Sequence, residues 1–296
     1  MISSATASAT ASPSEPYRGR FAPSPTGPLH AGSLVAALAS FLDARHQSGV
    51  WRLRFDDIDP PRAVEGSERN IIAALRGHGL HWDEPILYQS EHSERYESAL
   101  QTLWQQGYLF RCICTRTTLS SAGTCGQDCR KADHSATLAH SLRVRVIPER
   151  LQNFTDRFMG EQAVATGGVP ADFIVKRRDD LFAYQLAAAV DDALPHVTHV
   201  VRGDDLLTST HRQRWLHQLL GQTSPRYAHT RVVRDHAGNK LSKQTGAEAL
   251  NMKDAEENLR NALRHLRQPP PPASARTVID LLDFAIEHWS ASQQEH

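Results

Sequence analysis

The order of strand-like and helix-like segments predicts an α/β protein: a parallel sheet with covered faces, split by an insertion and followed by a short helical region. Three observations carry this. Strand and helix patterns alternate from Tyr17 to Gly107, helical periodicity fades between Arg111 and Asp180, and the alternation returns from Val197 onward.

Each element follows from its residues. Tyr17–Pro23 reads as a short strand, and Leu34–Arg45 has apolar residues at helical spacing without a breaker. Gly49 opens a second strand, Val50–Phe55, which runs into Asp56, Asp57 and Asp59 and is stopped by Pro60-Pro61. Amphipathic helices are expected over Ser67–His78, ended by Gly79, and over Ser93–Gln106, ended by Gly107. From Arg111 to Asp180 cysteines appear, and Gly167-Gly168 and Pro170 break the chain. Val197–Val201 resumes the sheet, Ser209–Leu220 is a helix, and Tyr227–Val233 is a further strand. Met252–Leu266 and Thr277–Ser290 are helical, with Pro269–Pro272 a stiff linker between them. This is a Rossmann-type order, and ligands in such sheets bind at the carboxyl ends of the strands.

Bulk properties narrow the class. The chain has 296 residues, 40% of them apolar and 22% charged, as in a soluble globular protein with a substantial core. No apolar run approaches the roughly 20 residues that span a bilayer. Met1–Pro16 is rich in Ser, Ala, Thr and Pro, with no basic start and no apolar stretch. It is expected to be a disordered tail rather than a secretory signal, and the lack of Arg before Arg18 weighs against a transit peptide. A cytoplasmic protein is expected. With 33 basic and 33 acidic side chains the net charge is zero, so any nucleic-acid surface must come from local clustering. Arg143, Arg145, Lys176, Arg177 and Arg178 are the candidates, against the plainer reading of a solvated strand edge.

Two distant strings carry chemistry. Pro23-Ser24-Pro25-Thr26-Gly27-Pro28-Leu29-His30-Ala31-Gly32-Ser33 reads as strand, stiff turn and helix start, whose unpaired N–H groups seat phosphate. Lys240-Leu241-Ser242-Lys243-Gln244 puts two ammonium groups on a polar loop near Gly238 and Gly246. Together they suit the two halves of a nucleoside triphosphate site. A lone His after such a turn is ordinarily a cap, and a lone Lys-x-x-Lys is ordinarily solvated; it is their joint occurrence that carries weight.

The cysteines form a second signal. Cys112, Cys114, Cys125 and Cys129 are the only four in the chain, and Cys-x-Cys, a ten-residue loop and Cys-x-x-x-Cys suit one tetrahedral thiolate Zn²⁺ site of structural role. A disulfide pair is the alternative, less suited to a reducing compartment.

These motifs resemble class I aminoacyl-tRNA synthetases, with His-Ala-Gly-Ser and Lys-Leu-Ser-Lys-Gln at the two signature positions. Arg20–Gly27, Arg54–Arg62, Leu181–Leu186 and Val201–Leu206 resemble the glutamyl branch, in particular its truncated, queuosine-modifying members, over roughly residues 17 to 250. The resemblance implies ATP-dependent activation of L-glutamate and its transfer to queuosine in the anticodon stem-loop of tRNA-Asp, with Mg²⁺ accompanying ATP. It implies His30 and Lys243 as catalytic, with Gly32, Lys240 and Ser242 also at ATP. It implies Arg20 and Arg202 on the glutamate carboxylates, Asp56 on the ammonium, and Ala22, Ser24 and Tyr184 as walls and hydrogen bonds. Many relatives carry Glu where this chain has Asp56, so the shorter side chain is expected to reach through water or a shifted backbone. Ser33 stands where the general motif has its last His, as in the glutamyl branch. Relatives hold a structural zinc in the insertion.

The expected division is a tail (1–16), the first half of the sheet domain (17–110), a zinc-binding insertion (111–180), the second half (181–236), and the lysine loop with a helical C-terminal region (237–296). About fifty residues after Gln244 leave no room for the usual anticodon-binding module, which favours the queuosine-modifying reading. A monomer is expected. Ordinary glutamyl-tRNA charging at the 3′ end, a non-catalytic RNA-binding paralogue and another nucleotidyl transfer remain as alternatives.

Overall fold

The computed structural model of the chain describes residues 16–115, 117–119, 125, 129–132, 134–164, 171–193, 197–234 and 248–291. The expected tail lies outside these residues apart from Pro16. In chain order come β1 (Arg18–Phe21), α1 (Ala31–His46), β2 (Val50–Phe55), α2 (Ser67–Gly77), β3 (Leu87–Tyr88) and α3 (Ser93–Gln105). Next come β4 (Leu109–Cys112), β5 (Ser141–Val144), β6 (Phe154–Asp156), β7 (Gly160–Gln162) and β8 (Phe173–Lys176). The last group is α4 (Tyr184–Ala193), β9 (His199–Gly203), α5 (Leu207–Leu220), β10 (Arg226–Thr230), α6 (Ala255–His265) and α7 (Val278–Glu287).

Two parallel ladders form the centre. One is β1–β2–β3, with Arg20 opposite Arg52; the other is β9–β10, with Arg202 opposite His229. Thr198, just before β9, donates its N–H to the Arg18 carbonyl at 2.9 Å, and its Oγ1 accepts the Arg18 N–H at 2.8 Å. These bonds set β9 beside β1, giving the spatial order β3–β2–β1–β9–β10. The carboxyl ends of β1 and β9 therefore lie side by side, where such sheets hold ligands.

Helix α1 is buried almost all round, from Leu34 to Ala44, because it is covered twice. The sheet takes one side, and Leu259, Leu263, Leu281 and Trp289 of the C-terminal region join the same core. The Asp43 carboxylate, 1% exposed, ties this junction together. It accepts from Tyr17 Oη (2.5 Å), from both terminal nitrogens of Arg157 (2.6 and 3.0 Å) and from Trp289 Nε1 (3.0 Å).

Several expectations shift. The strand expected at Val197–Val201 runs from His199 to Gly203, which brings Arg202 next to its carboxyl end. The strand expected to reach Val233 stops at Thr230, and Met252–Asp254 is a 3₁₀ turn ahead of α6. Helix α4, the two-residue β3 and the β6–β7 hairpin were not read from the sequence; the strands are too short to show periodicity. The segment expected to be a small insertion held by its cysteines also packs by burial. In it β4, β5 and β8 form an antiparallel sheet whose Val144, Phe173 and Val175 pack against Tyr96, Leu186 and Trp215 of α3, α4 and α5. Its hairpin departs altogether: Arg157 N–H donates to Tyr227 O at 2.9 Å, and Phe158 enters the core around α1. No helix among the described residues is long and apolar enough to cross a membrane.

Candidate active site

A cavity of about 490 Å³ opens at the carboxyl ends of β1 and β9, and Arg20, Ala22, Ser24, His30, Gly32, Asp56, Tyr184 and Arg202 all line it. The turn between β1 and α1 is its floor. Gly27 sits at φ 129°, open to glycine but strained for other residues. Ser67 clamps it by accepting the Gly27 N–H at 2.8 Å and donating to its carbonyl at 2.7 Å. His30 is the N-cap of α1, with Nδ1 accepting the Ser33 N–H at 3.3 Å. In a neutral ring that leaves the proton on Nε2, so His30 offers the cavity a donor beside the positive end of a sixteen-residue helix.

The β1–β2 side is a closed ion network. Arg20, 5% exposed, donates from Nε and Nη2 to the two oxygens of Asp192 at 3.0 and 3.1 Å. Arg54 donates to the same carboxylate at 2.7 Å and to Asp56 at 2.7 and 3.4 Å. Two guanidinium groups thus face two carboxylates. Burial, with Asp192 adding, pushes the Asp56 carboxyl up in spite of Arg54. Asp192 is buried too, but Arg20 and Arg54 hold it well below the usual carboxylate range.

The β9 side is different. Arg202, also 5% exposed, donates from Nε to His229 Nε2 (3.1 Å), from Nη1 to Gln213 Oε1 (2.8 Å) and Tyr184 Oη (3.3 Å), and from Nη2 to Thr210 Oγ1 (2.8 Å) and Leu206 O (3.3 Å). All these acceptors are neutral, and no carboxylate pairs with Arg202 among the described residues. Leaving a buried cation without a counter-charge is costly. Gly203 follows it, and a Cβ there would crowd Asp205 Oδ1 at 2.5 Å and Val232 Cγ1 at 3.1 Å.

Lys240, Ser242 and Lys243 lie outside the described residues. The chain on either side of them is anchored at the cavity: Val233 lines it, and Leu250 donates its N–H to Leu29 O at 2.9 Å, next to His30.

Away from the cavity, Cys112, Cys114, Cys125 and Cys129 bring their sulfur atoms within 4.8 Å of one another. The separations are 3.2 Å (114 to 125) and 3.8 Å (112 to 125 and 114 to 129), longer than an S–S bond of about 2.05 Å. Four sulfurs each about 2.3 Å from a central Zn²⁺ would stand about 3.8 Å apart. Cys112 and Cys129 are buried, and burial pushes the Cys129 thiol up to about 12, so a cation is needed to favour thiolate there.

Comparison with known proteins agrees with this architecture. Residues 17–268 match the family of class I tRNA synthetases (E and Q), catalytic domain. Proteins named glutamyl-Q tRNA(Asp) synthetase from Dechloromonas aromatica (46% identical, 93% of this chain and 94% of that protein) and Yersinia pseudotuberculosis (44%, 93% and 83%) are among its relatives. The chain belongs to the glutamyl-Q tRNA(Asp) synthetase family. It carries the class I synthetase fold, and the family is one of ligases. A glutamate tRNA ligase from Elizabethkingia meningosepticum, solved in complex with its amino acid, shares the fold with a TM-score of 0.76 at 24% identity, over 95% of this chain and 66% of that one.

Two groups of buried polar residues behind the cavity escaped the sequence reading. Asp191 and Asp192 follow the apolar run Leu186–Val190, and two acids on a buried helix signal internal partners; Asp191 takes Gln89, His92 and Tyr96. Asp156 and His229, behind Arg202, carried no sequence signal. The candidate basic residues have partners of their own. Arg143 is 2% exposed and donates to Asp172 O, Lys176 pairs with Glu97 and Asp180, and Arg177 with Asp59 and Asp179. Arg143 is buried, while the ion pairs of Lys176 and Arg177 lie at the surface, as in a solvated strand edge.

Proposed function

We propose that this chain activates glutamate with ATP as glutamyl-adenylate and transfers the glutamyl group to a hydroxyl of the queuosine cyclopentene-diol in tRNA-Asp. The observation that carries the reading is Arg202: a buried guanidinium with only neutral partners, at the wall of a cavity that also holds a helix N-terminus. Such a site calls for an anion, and a forked guanidinium suits a carboxylate. Arg20 supplies a second contact through Nη1, which makes no hydrogen bond to any described residue. Asp56 faces the ammonium while sharing its charge with Arg54, and Ala22, Ser24 and Tyr184 shape the pocket.

The ionised carboxylate attacks the α-phosphorus and pyrophosphate leaves, so no general base is needed at this step. His30 donates to the phosphates, with Gly32 giving room for close approach. Lys240, Ser242 and Lys243 are assigned to the same phosphates; the anchoring of Val233 and Leu250 at the cavity supports that. Catalysis then rests on positioning and charge stabilisation. Mg²⁺ bound to ATP would neutralise phosphate charge. The acceptor hydroxyl next attacks the mixed anhydride and AMP leaves. The names of the relatives support queuosine as the acceptor.

Zn²⁺ held by Cys112, Cys114, Cys125 and Cys129 has a structural part in this reading. Its assay is thiol-triggered metal release from protein made in zinc-replete medium, expected to yield one zinc per chain; no release would end that assignment. The function is tested by glutamate-dependent ATP–pyrophosphate exchange without RNA, followed by acylation of tRNA with and without queuosine. Acylation that is independent of queuosine would instead support charging of the 3′ end.

A further inference from the structure

Arg202 is braced from behind by two residues of unassigned role. His229 and Asp156 are both fully buried, with side chains 0% exposed. His229 Nε2 accepts from Arg202 Nε at 3.1 Å, and an acceptor nitrogen must be unprotonated. The ring proton is therefore on Nδ1, which donates to Asp156 Oδ2 at 2.5 Å. Asp156 is fixed in turn: its Oδ1 accepts the backbone N–H groups of Phe158 (3.1 Å), Met159 (3.0 Å) and His229 (3.0 Å). Those bonds require the β6–β7 hairpin to fold back onto β10, which explains why this piece of the inserted segment rejoins the main core.

We propose that Asp156 and His229 are positioning residues for substrate carboxylate recognition, in which Asp156 fixes the imidazole tautomer and His229 Nε2 fixes the plane of the Arg202 guanidinium. This rests on the reading that Arg202 takes a glutamate carboxylate. The arrangement solves a charge problem. An acid placed directly on Arg202 would neutralise the cation that the substrate must meet. With one neutral imidazole between them, the acid orients the guanidinium without pairing with it. Nε is locked, Thr210 and Leu206 hold Nη2, and the long Nη1 contact to Tyr184 at 3.3 Å faces the cavity as the bond most readily exchanged for substrate.

The pH dependence follows from what surrounds His229. Asp156 of β6, Arg202 of β9, Thr210 of α5 and Asp204 in the turn after β9 are the polar and charged groups near it, and Tyr227 of its own strand stacks at 6.2 Å. Burial, with Arg202 adding, holds its imidazole below the ordinary value of 6.5 in spite of Asp156. Protonation at acid pH would set an imidazolium against Arg202 and displace it.

The test uses the full chain in ATP–pyrophosphate exchange, with KM measured for glutamate and for ATP. His229→Leu removes the acceptor and is expected to raise the glutamate KM by about 10-fold or more, with the ATP KM within about 2-fold. His229→Gln, whose Oε1 can replace Nε2, is expected to recover most of that loss. In the wild type the glutamate KM rises only at acid pH, below the ordinary imidazole value, and in His229→Gln that rise is lost. Equal behaviour of the Leu and Gln variants, or a glutamate KM unchanged in both, overturns the proposal. If His229→Leu does not fold, the pH profile of His229→Gln decides: a rise identical to wild type overturns the proposal. Wild-type protein without glutamate-dependent exchange defeats the functional reading itself; active wild type with an unaffected His229→Leu defeats only this inference.

Discussion

Arg20 and Arg202 are the penultimate residues of adjacent parallel strands, equally buried and lining one cavity, yet their charges are handled in opposite ways. Arg20 is forked onto Asp192 inside a network where two guanidinium groups meet two carboxylates. Arg202 is held by a histidine, a glutamine, a threonine, a tyrosine and a carbonyl. The first arrangement makes a rigid wall whose charge is already matched. The second leaves a buried cation without a counter-charge, at some cost in stability.

The sharpest way to break this contrast is Arg202→Ala. Glutamate-dependent exchange is expected to fall by about 10³-fold, since a substrate carboxylate would meet a dry pocket with its main partner gone. The unfolding midpoint should hold steady or rise, because an unmatched buried cation is removed. Wild-type exchange rates in this variant would remove the pocket as described.

Asp192→Asn probes the matched side. It strips the counter-charge from Arg20 and Arg54 together, and a loss of about 3–5 kcal/mol in urea unfolding is expected. A loss under about 1 kcal/mol would mean that the network is not the wall it is taken for.

A third, similar or smaller effect comes from pH. His217 donates from Nε2 to Ala189 O and is fully buried, and burial holds it down at about 4 instead of 6.5. Its folded-state value is depressed, so the unfolded chain binds the extra proton first. Stability is therefore constant above 6.5, falls as pH drops from 6.5 to about 4, and levels below that. The contribution is on the order of 3 kcal/mol. Replacement by Gln should flatten that part of the thermal-unfolding profile, and an unchanged slope would show that His217 titrates normally.

The mildest test is Tyr184→Phe, which removes the long 3.3 Å contact to Arg202. A rise in the glutamate KM of about 3-fold is expected, with kcat unchanged. A loss of kcat instead would give Tyr184 a part in the reaction beyond holding Arg202.

What could be read from the linear chain was whatever is local or strongly patterned. The β1–turn–α1 unit is written in Pro25, Gly27, Pro28 and the apolar run from Leu34, because turn chemistry and helical spacing act over a few residues. The cysteine cluster is written in its spacing. The boundary of β9 was displaced by two residues, since Val197 and Thr198 look like strand, and Thr198 is used instead to join the two ladders. The insertion was misjudged as weakly packed because its strands have only three or four residues.

The sequence by itself determined which groups are available: two arginines beside strand ends, a helix-capping histidine, a lysine pair and four thiols. Only the tertiary structure decided which charges are matched. Asp192 meets Arg20 across 172 residues and Asp156 meets His229 across 73, and no periodicity encodes a contact at that distance. Those pairings depend on strand order and on a hairpin folding back, so the difference between an arginine matched by a carboxylate and one held by neutral groups arises from burial geometry and not from residue type.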